Sequence, residues 1–139
     1  MSEEEYRAFL MEDTRTGKLA TVRRNFRAHV VPIWFVLDEE GRLIFTTGKT
    51  SVKGQNLRRD LHVSICVDDE RPPYSFVQVD GVADLSEDPD ALLEWATRIA
   101  ERYMGPELAE EYGRRNAVPG EVLVRVTPTS VIAQADLAD

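Results

Sequence analysis

The sequence is poor in the residues that form disulfides and metal sites. Cys66 is the only cysteine among the 139 residues, which excludes a disulfide within the chain and indicates a reducing compartment. Together with the two histidines, His29 and His62, it provides no recognisable zinc-ligand spacing, so no metal site is predicted. Nothing near either histidine suggests a nucleophile–base pair, and the sequence identifies no catalytic residue.

Long apolar runs and net positive charge are missing as well. No apolar run approaches the length of a membrane span, and the acidic start MSEEEYRAFL is typical of neither a signal nor a transit peptide. A net charge of −8 argues against nucleic acid and anionic membranes as partners. We therefore expect a cytoplasmic protein without a membrane span, and its length predicts one domain over residues 1–139.

Lysine is also scarce, and its distribution is uneven. The chain has three lysines, Lys18, Lys49 and Lys53, while its other fourteen basic residues are arginines. Two of the three fall in residues 43–60, LIFTTGKTSVKGQNLRRD, where an apolar strand leads into a hydroxyl-rich turn and a short helix-like segment. Backbone N–H groups at a helix start, hydroxyl donors and a lysine charge together favour a bound phosphate.

The same turn has a simpler interpretation. Thr50 or Ser51 can cap the helix that follows without binding any ligand, and caps of this type are common. The segment alone leaves both interpretations open.

Hydrophobic periodicity predicts a mainly β chain with a few helices. Ser2 and Glu5 fit a capping box, while Asp88, Pro89 and Gly105 mark the ends of a second helix. Residues 107–115 suggest a further short helix. The predicted strands cover residues 18–23, 29–37, 42–47, 61–67, 74–85, 121–127 and 130–134.

Two residues mark irregular points in these strands. Pro32 implies an edge strand or a bulge, and Gly81 a bulge. Six or seven strands with hairpin connections and two to three outer helices predict an α+β fold built on a small antiparallel barrel.

Six segments of the sequence together resemble a known protein family. They are GKLATV, HVVPIWFVLDEEGRLIF, TTGKTSVKGQNLRRD, VSICVDD, VDGVADL and VLVRVTPTSVIA. With these runs the chain resembles the pyridoxamine 5′-phosphate oxidase-like split β-barrel flavoproteins, in particular the branch that uses the deazaflavin coenzyme F-420. The resemblance extends over nearly the whole chain. It implies a split β-barrel of the FMN-binding type, and a homodimer with cofactor sites at the subunit interface.

The resemblance also assigns roles within the site. Lys53 is expected to bind the cofactor phosphate, Asn56 to support the turn or contact the cofactor, and Phe76 to reach the partner's site. The strand through Trp34 is expected to run along the ring system. The residues expected to bind cofactor are Val31, Pro32, Ile33, Trp34, Thr46, Thr47, Lys49, Ser51, Lys53, Asn56 and Phe76.

One position departs from the pattern of the vitamin B6 oxidases in this family. Those relatives place an arginine beside the lysine, where this chain has Val52. The missing guanidinium removes a possible bidentate phosphate contact. Lys49, Arg27 and Arg58 are candidates to face the acidic polyglutamate tail of coenzyme F-420.

The resemblance implies an oxidoreductase that transfers a hydride between reduced coenzyme F-420 and a small organic acceptor of the quinone, enone or tetrapyrrole type. The cofactor carries the chemistry in such enzymes, which explains the lack of a visible triad. Two alternatives remain: an FMN-binding reductase or oxidase of the same fold, and a non-catalytic flavin or deazaflavin carrier.

Overall fold

The computed structural model describes all residues, 1–139. Seven antiparallel strands form one curled sheet in the order β2-β1-β5-β6-β7-β4-β3. The strands are β1 (Gly17–Val22), β2 (Ala28–Ile33), β3 (Val36–Leu37), β4 (Leu43–Gly48), β5 (His62–Asp69), β6 (Ser75–Ser86) and β7 (Glu121–Gln134).

Four helices accompany the sheet, one more than the upper number predicted. They are α1 (Glu3–Met11), α2 (Val52–Arg59), α3 (Pro89–Met104) and α4 (Ala109–Asn116). The predicted capping box of α1 is present, and Asp88 caps α3 by accepting a hydrogen bond from the Ala91 N–H at 3.1 Å. None of the four is both long and apolar enough to cross a bilayer.

The predicted single strand over residues 29–37 is wrong. β2 and β3 lie at opposite edges of the sheet and are joined by Trp34 and Phe35 alone, which requires the sheet to curl until its edges approach each other. The backbone of Phe35 bonds to α3: its N–H donates to the Tyr103 hydroxyl at 3.2 Å, and its carbonyl accepts from Arg102 at 2.7 Å. Pro32 lies in an edge strand, as predicted.

The last strand is continuous, whereas the sequence suggested two strands around Pro128. The register of β6 and β7 shifts at one point: Asp80 pairs with Ser130, and Gly81 pairs with Pro128. Thr129 is the extra residue, and its hydroxyl donates to the Asp80 carbonyl at 3.1 Å. The bulge predicted at Gly81 therefore exists, and it lets one strand pass a proline without breaking.

Two hydrophobic clusters hold the elements in place. The larger fills the inside of the curled sheet and includes Leu19, Phe45 and Ile65, all fully buried. The smaller lies between the outer side of the sheet and α3, where Ile44 meets Ile99. Each such side chain contributes about 1.5–3 kcal/mol to folding. The second cluster fixes α3 across β4, beside the turn singled out in the sequence.

Candidate functional site

The turn between β4 and α2 is held by Ser51. Its hydroxyl accepts from the Gly54 N–H at 3.1 Å and donates to the Gly48 carbonyl at 2.8 Å. A hydroxyl has one proton, so the Thr47 hydroxyl, 3.0 Å away, must be the donor in its contact with Ser51. The capping interpretation is thus correct for Ser51, and the hydroxyl is fully used within the turn.

The start of α2 lies very close to the end of β4. A side chain on Gly54 would collide with the carbonyl oxygen of Gly48, so only glycine permits this approach. The start of α2 is thereby fixed against Gly48 at the end of β4, and the free N–H groups of a helix start favour an anion.

Asn56 anchors the other side of α2. It is 4% exposed, and its side-chain NH₂ donates to the Thr21 hydroxyl at 3.0 Å. Its side-chain carbonyl accepts from Arg59 at 3.1 Å, and Arg59 also donates to the Val22 carbonyl at 2.7 Å. Of the two roles expected for Asn56, this geometry corresponds to support of the turn.

A cleft of about 330 Å³ opens beside this turn. Six of the predicted cofactor residues line it: Pro32, Ile33, Trp34, Thr46, Thr47 and Lys53. Five further lining residues were not predicted: Gly48, Ala96, Ile99, Asn116 and Glu121. They come from the end of β4, from α3 and α4, and from the start of β7, which only the folded chain brings together.

Lys53 differs from the other two lysines in its surroundings. Lys18 forms a salt bridge to Asp68 at 3.0 Å and Lys49 one to Glu87 at 2.8 Å. Lys53 has no carboxylate within 4.0 Å. Its ammonium faces the cleft from the first turn of α2 and is available to an anion there.

The apolar wall of the cleft is built around Trp34. Its indole stacks on the ring of Tyr103 from α3 and remains 39% exposed. The Tyr103 hydroxyl donates to the Arg15 carbonyl at 2.7 Å, and burial raises the pKa of this phenol. Trp34 therefore lies at the surface of the cleft, held by its stack on Tyr103, and is not part of the barrel interior.

Glu121 is the second charged side chain of the cleft. It begins β7 directly opposite Gly48, and one carboxylate oxygen lies 3.2 Å from the point a Gly48 Cβ would occupy. Burial raises the pKa of this carboxyl, while the charge of Lys53 lowers it by less. No local sequence signal marks Glu121, because its position depends on the pairing of β4 with β7.

A second depression lies on the other side of the turn. It measures about 440 Å³ and is lined by Arg24, Lys49, Thr50, Gln55, Arg58 and Arg59; we call it the basic basin. Lys49 and Arg58 were expected to share such a surface, but Arg27 is not among its lining residues and Arg24 is.

Five predicted residues lie outside the cleft: Lys49, which lines the basic basin, and four others. Val31 packs against the inner cluster, while Ser51 and Asn56 hold the turn. Phe76 pairs with Asp68 and lines a separate cavity of about 680 Å³. Within one chain, Phe76 is not brought to Lys53.

The chain matches a known protein family over nearly its whole length. Residues 2–135 match the family model described as pyridoxamine 5′-phosphate oxidase. The chain belongs to this family. Its curled antiparallel sheet with outer helices is the family's α+β split barrel, as the sequence predicted. No curated protein matches the chain in sequence.

Solved structures of similar proteins agree with this assignment. A conserved hypothetical protein of Mycobacterium tuberculosis is 30% identical with a TM-score of 0.84, covering 96% of this chain and 84% of its own. A protein named F-420 reductase is 27% identical with a TM-score of 0.70, covering 90% and 94%. HutZ, a heme storage protein of Vibrio cholerae, is 22% identical with a TM-score of 0.75, covering 99% and 98%, a likeness of fold alone.

Proposed function

We propose that this protein is an oxidoreductase that transfers a hydride between reduced coenzyme F-420 and a small organic acceptor of the quinone, enone or tetrapyrrole type. The observation that carries the proposal is Lys53, a lysine without a carboxylate partner, at a helix start beside an aromatic-walled cleft. The similarity to a protein named F-420 reductase supports the choice of cofactor.

The two ends of the cleft suit the two parts of a phosphorylated tricyclic cofactor, its phosphate and its ring system. Lys53, Thr46 and the first N–H groups of α2 would hold its phosphate. Pro32 and Trp34 would lie along its ring system, which supplies the two-electron hydride chemistry. The chain's own contribution is to bind and orient the ring and to leave one face open to the acceptor. We assign no catalytic acid or base.

The basic basin would take the acidic tail of the same cofactor. Lys49 and Arg58 line it together with Arg24 and Arg59, and the chain passes from the cleft into the basin between Gly48 and Lys49. In a protein of net charge −8, four basic side chains around one depression favour a polyanionic group there.

We further propose a cytoplasmic homodimer with its cofactor sites at the subunit interface. The outer face of the sheet presents apolar side chains, with Val30 60% and Ile132 49% exposed. One row of cross-strand neighbours runs over this face away from the cleft: Pro32, Lys18, Cys66, Gln78 and Ile132. A partner that covers this row could bring its own cleft to Phe76, which is remote from the cleft of its own chain, as the family resemblance implies.

The alternative to coenzyme F-420 is FMN. Membership of the pyridoxamine 5′-phosphate oxidase family makes an FMN-dependent reductase or oxidase the second candidate function. Titration of the purified protein with coenzyme F-420 and with FMN, followed by absorbance, separates the two. We expect tight binding of F-420 and weak binding of FMN. Tight FMN binding without measurable F-420 binding would refute the proposal.

Turnover separates an enzyme from a carrier. The F-420-loaded protein is expected to reduce at least one member of a panel of quinones, enones and tetrapyrroles. Binding without reduction of any acceptor would leave a carrier as the function.

A further inference from the structure

The position of Glu121 gives the cleft a property that Lys53 alone would not. β4 and β7 pair through Gly48 and Glu121, and because Gly48 has no side chain, the carboxylate can lie over the end of β4. A carboxylate therefore lies in the same cleft as the ammonium expected to hold a phosphate.

Lys53 and Glu121 are the only charged side chains that line the cleft. The other polar side chains that line the cleft are neutral: Thr46 and Thr47 from β4 and Asn116 from α4. α3 supplies only Ala96 and Ile99. The formal charges of Lys53 and Glu121 cancel, and the two groups are more than 4.0 Å apart.

A cleft with no net charge discriminates between anions by their own charge. The attraction of Lys53 and the repulsion of Glu121 both grow in proportion to ligand charge and largely offset each other. The cost of removing the anion from water grows roughly as the square of its charge. A monoanion is therefore accepted more readily than a dianion.

We propose that Glu121 selects a phosphodiester, which carries one negative charge, against a terminal phosphomonoester, which is close to dianionic at neutral pH. The inference rests on the proposed function in that Lys53 holds the cofactor phosphate. Coenzyme F-420 carries its phosphate as a diester, whereas FMN ends in a monoester. Val52, at the first position of α2, supplies no second cation to compensate the extra charge of a monoester.

Two matched ligand pairs test the proposal. The deazaflavin pair is coenzyme F-420 and the deazaflavin nucleoside 5′-monophosphate; the flavin pair is FMN and its methyl phosphodiester. The dissociation constant of each ligand is measured by fluorescence for the wild-type protein and for Glu121→Gln, which keeps the shape and removes the charge. Glu87→Gln, which removes a carboxylate that contacts Lys49, is the control.

The wild-type protein is expected to bind each diester at least about tenfold more tightly than its monoester, a difference of about 1.4 kcal/mol. Glu121→Gln is expected to tighten monoester binding more than diester binding. The ratio of the dissociation constants of FMN and its methyl phosphodiester should therefore fall. Because the flavin ring is identical in FMN and its methyl diester, this ratio isolates phosphate charge. Glu87→Gln is expected to leave the flavin ratio unchanged.

Equal affinities for diester and monoester in the wild-type protein would overturn the proposal, as would an unchanged flavin ratio in Glu121→Gln, or no binding of any of the four ligands. Failure of the proposed function looks different. In that case both deazaflavins fail to bind, while the flavin pair still shows the ratio and its dependence on Glu121.

Discussion

The indole of Trp34 lies parallel to the ring of Tyr103, with 5.0 Å between ring centroids and 2° between planes. One face of the indole is thereby covered by α3, and the side chain borders the cleft. Arg102, the preceding residue of α3, donates to the carbonyls of Phe35 at 2.7 Å and Leu10 at 2.8 Å. The end of α3 thus fixes both Trp34 and the link between the two edge strands.

Tyr103→Phe is expected to lower the free energy of unfolding while keeping the stack. The variant retains the ring but leaves the N–H of Phe35, a fully buried residue, without its 3.2 Å partner. An unsatisfied buried N–H costs about 1–3 kcal/mol. Urea denaturation of both proteins measures the loss.

Tyr103→Leu removes the ring as well, and Trp34 should then become mobile. Fluorescence anisotropy in a Trp95→Phe background reports on Trp34 alone, since the chain has two tryptophans. Unchanged anisotropy in Tyr103→Leu would show that the stack does not hold the indole.

Lys53→Ala is expected to weaken cofactor binding without loss of ligand-free thermal stability. A charge-assisted hydrogen bond of this kind contributes on the order of 1.5–3 kcal/mol, which corresponds to roughly one to two orders of magnitude in dissociation constant. Titration with coenzyme F-420 measures the change. Arg98→Ala, which removes one positive charge from the exposed side of α3, is the matched control and should bind normally. Normal binding by Lys53→Ala would remove the phosphate assignment.

The parts of the fold that were predicted correctly have local causes. Asp88, Pro89 and Gly105 mark the ends of α3 within its own sequence, and Ser51 in the hydroxyl-rich turn marks the start of α2. The break at Trp34 was missed because these apolar residues suit a strand, and the groups that interrupt it come from the distant end of α3.

The predicted part of the cleft comes from two segments: Pro32, Ile33 and Trp34 were predicted from the family resemblance alone, and the other three residues from one turn. Thr46, Thr47 and Lys53 are close in sequence, so a single turn revealed them. Glu121 and Asn116 reach the cleft through the pairing of β4 with β7 and through the packing of α4 on α3, which no local pattern encodes.

Asn56→Ala tests whether this residue anchors the turn or contacts the cofactor. The substitution leaves the buried Thr21 hydroxyl without its partner, and we expect a loss of about 1–3 kcal/mol in unfolding free energy. Gln55→Ala, at the exposed neighbouring position, should change stability by no more than about 0.5 kcal/mol. Cofactor binding is compared at a temperature where Asn56→Ala and Lys53→Ala are both folded. Asn56→Ala should weaken cofactor binding less than Lys53→Ala does. The reverse order would make Asn56 a ligand.

Lys49→Glu tests the basic basin. The reversed charge would repel both Glu87 and an acidic tail, so binding of long-tailed coenzyme F-420 should weaken at low salt. Binding of a tail-less deazaflavin should change little, because Lys49 lies outside the cleft. The difference in affinity between wild type and Lys49→Glu should shrink as salt rises. Salt screens exposed charges over a Debye length of about 10 Å at 0.1 M. Equal weakening of both ligands would place the tail elsewhere.

Glu121→Gln is expected to raise the stability of the ligand-free protein at neutral pH. Burial raises the pKa of the Glu121 carboxyl above its unfolded value, so folding favours the neutral acid. The stabilisation from this proton is complete below the unfolded pKa and is lost as pH rises through the folded pKa. The amide does not titrate, so the stability advantage of the variant should grow through that interval and then remain constant. Thermal unfolding at a series of pH values measures it, with Glu94→Gln on the exposed side of α3 as the control. An advantage that does not vary with pH would mean that Glu121 is not held in a desolvated position.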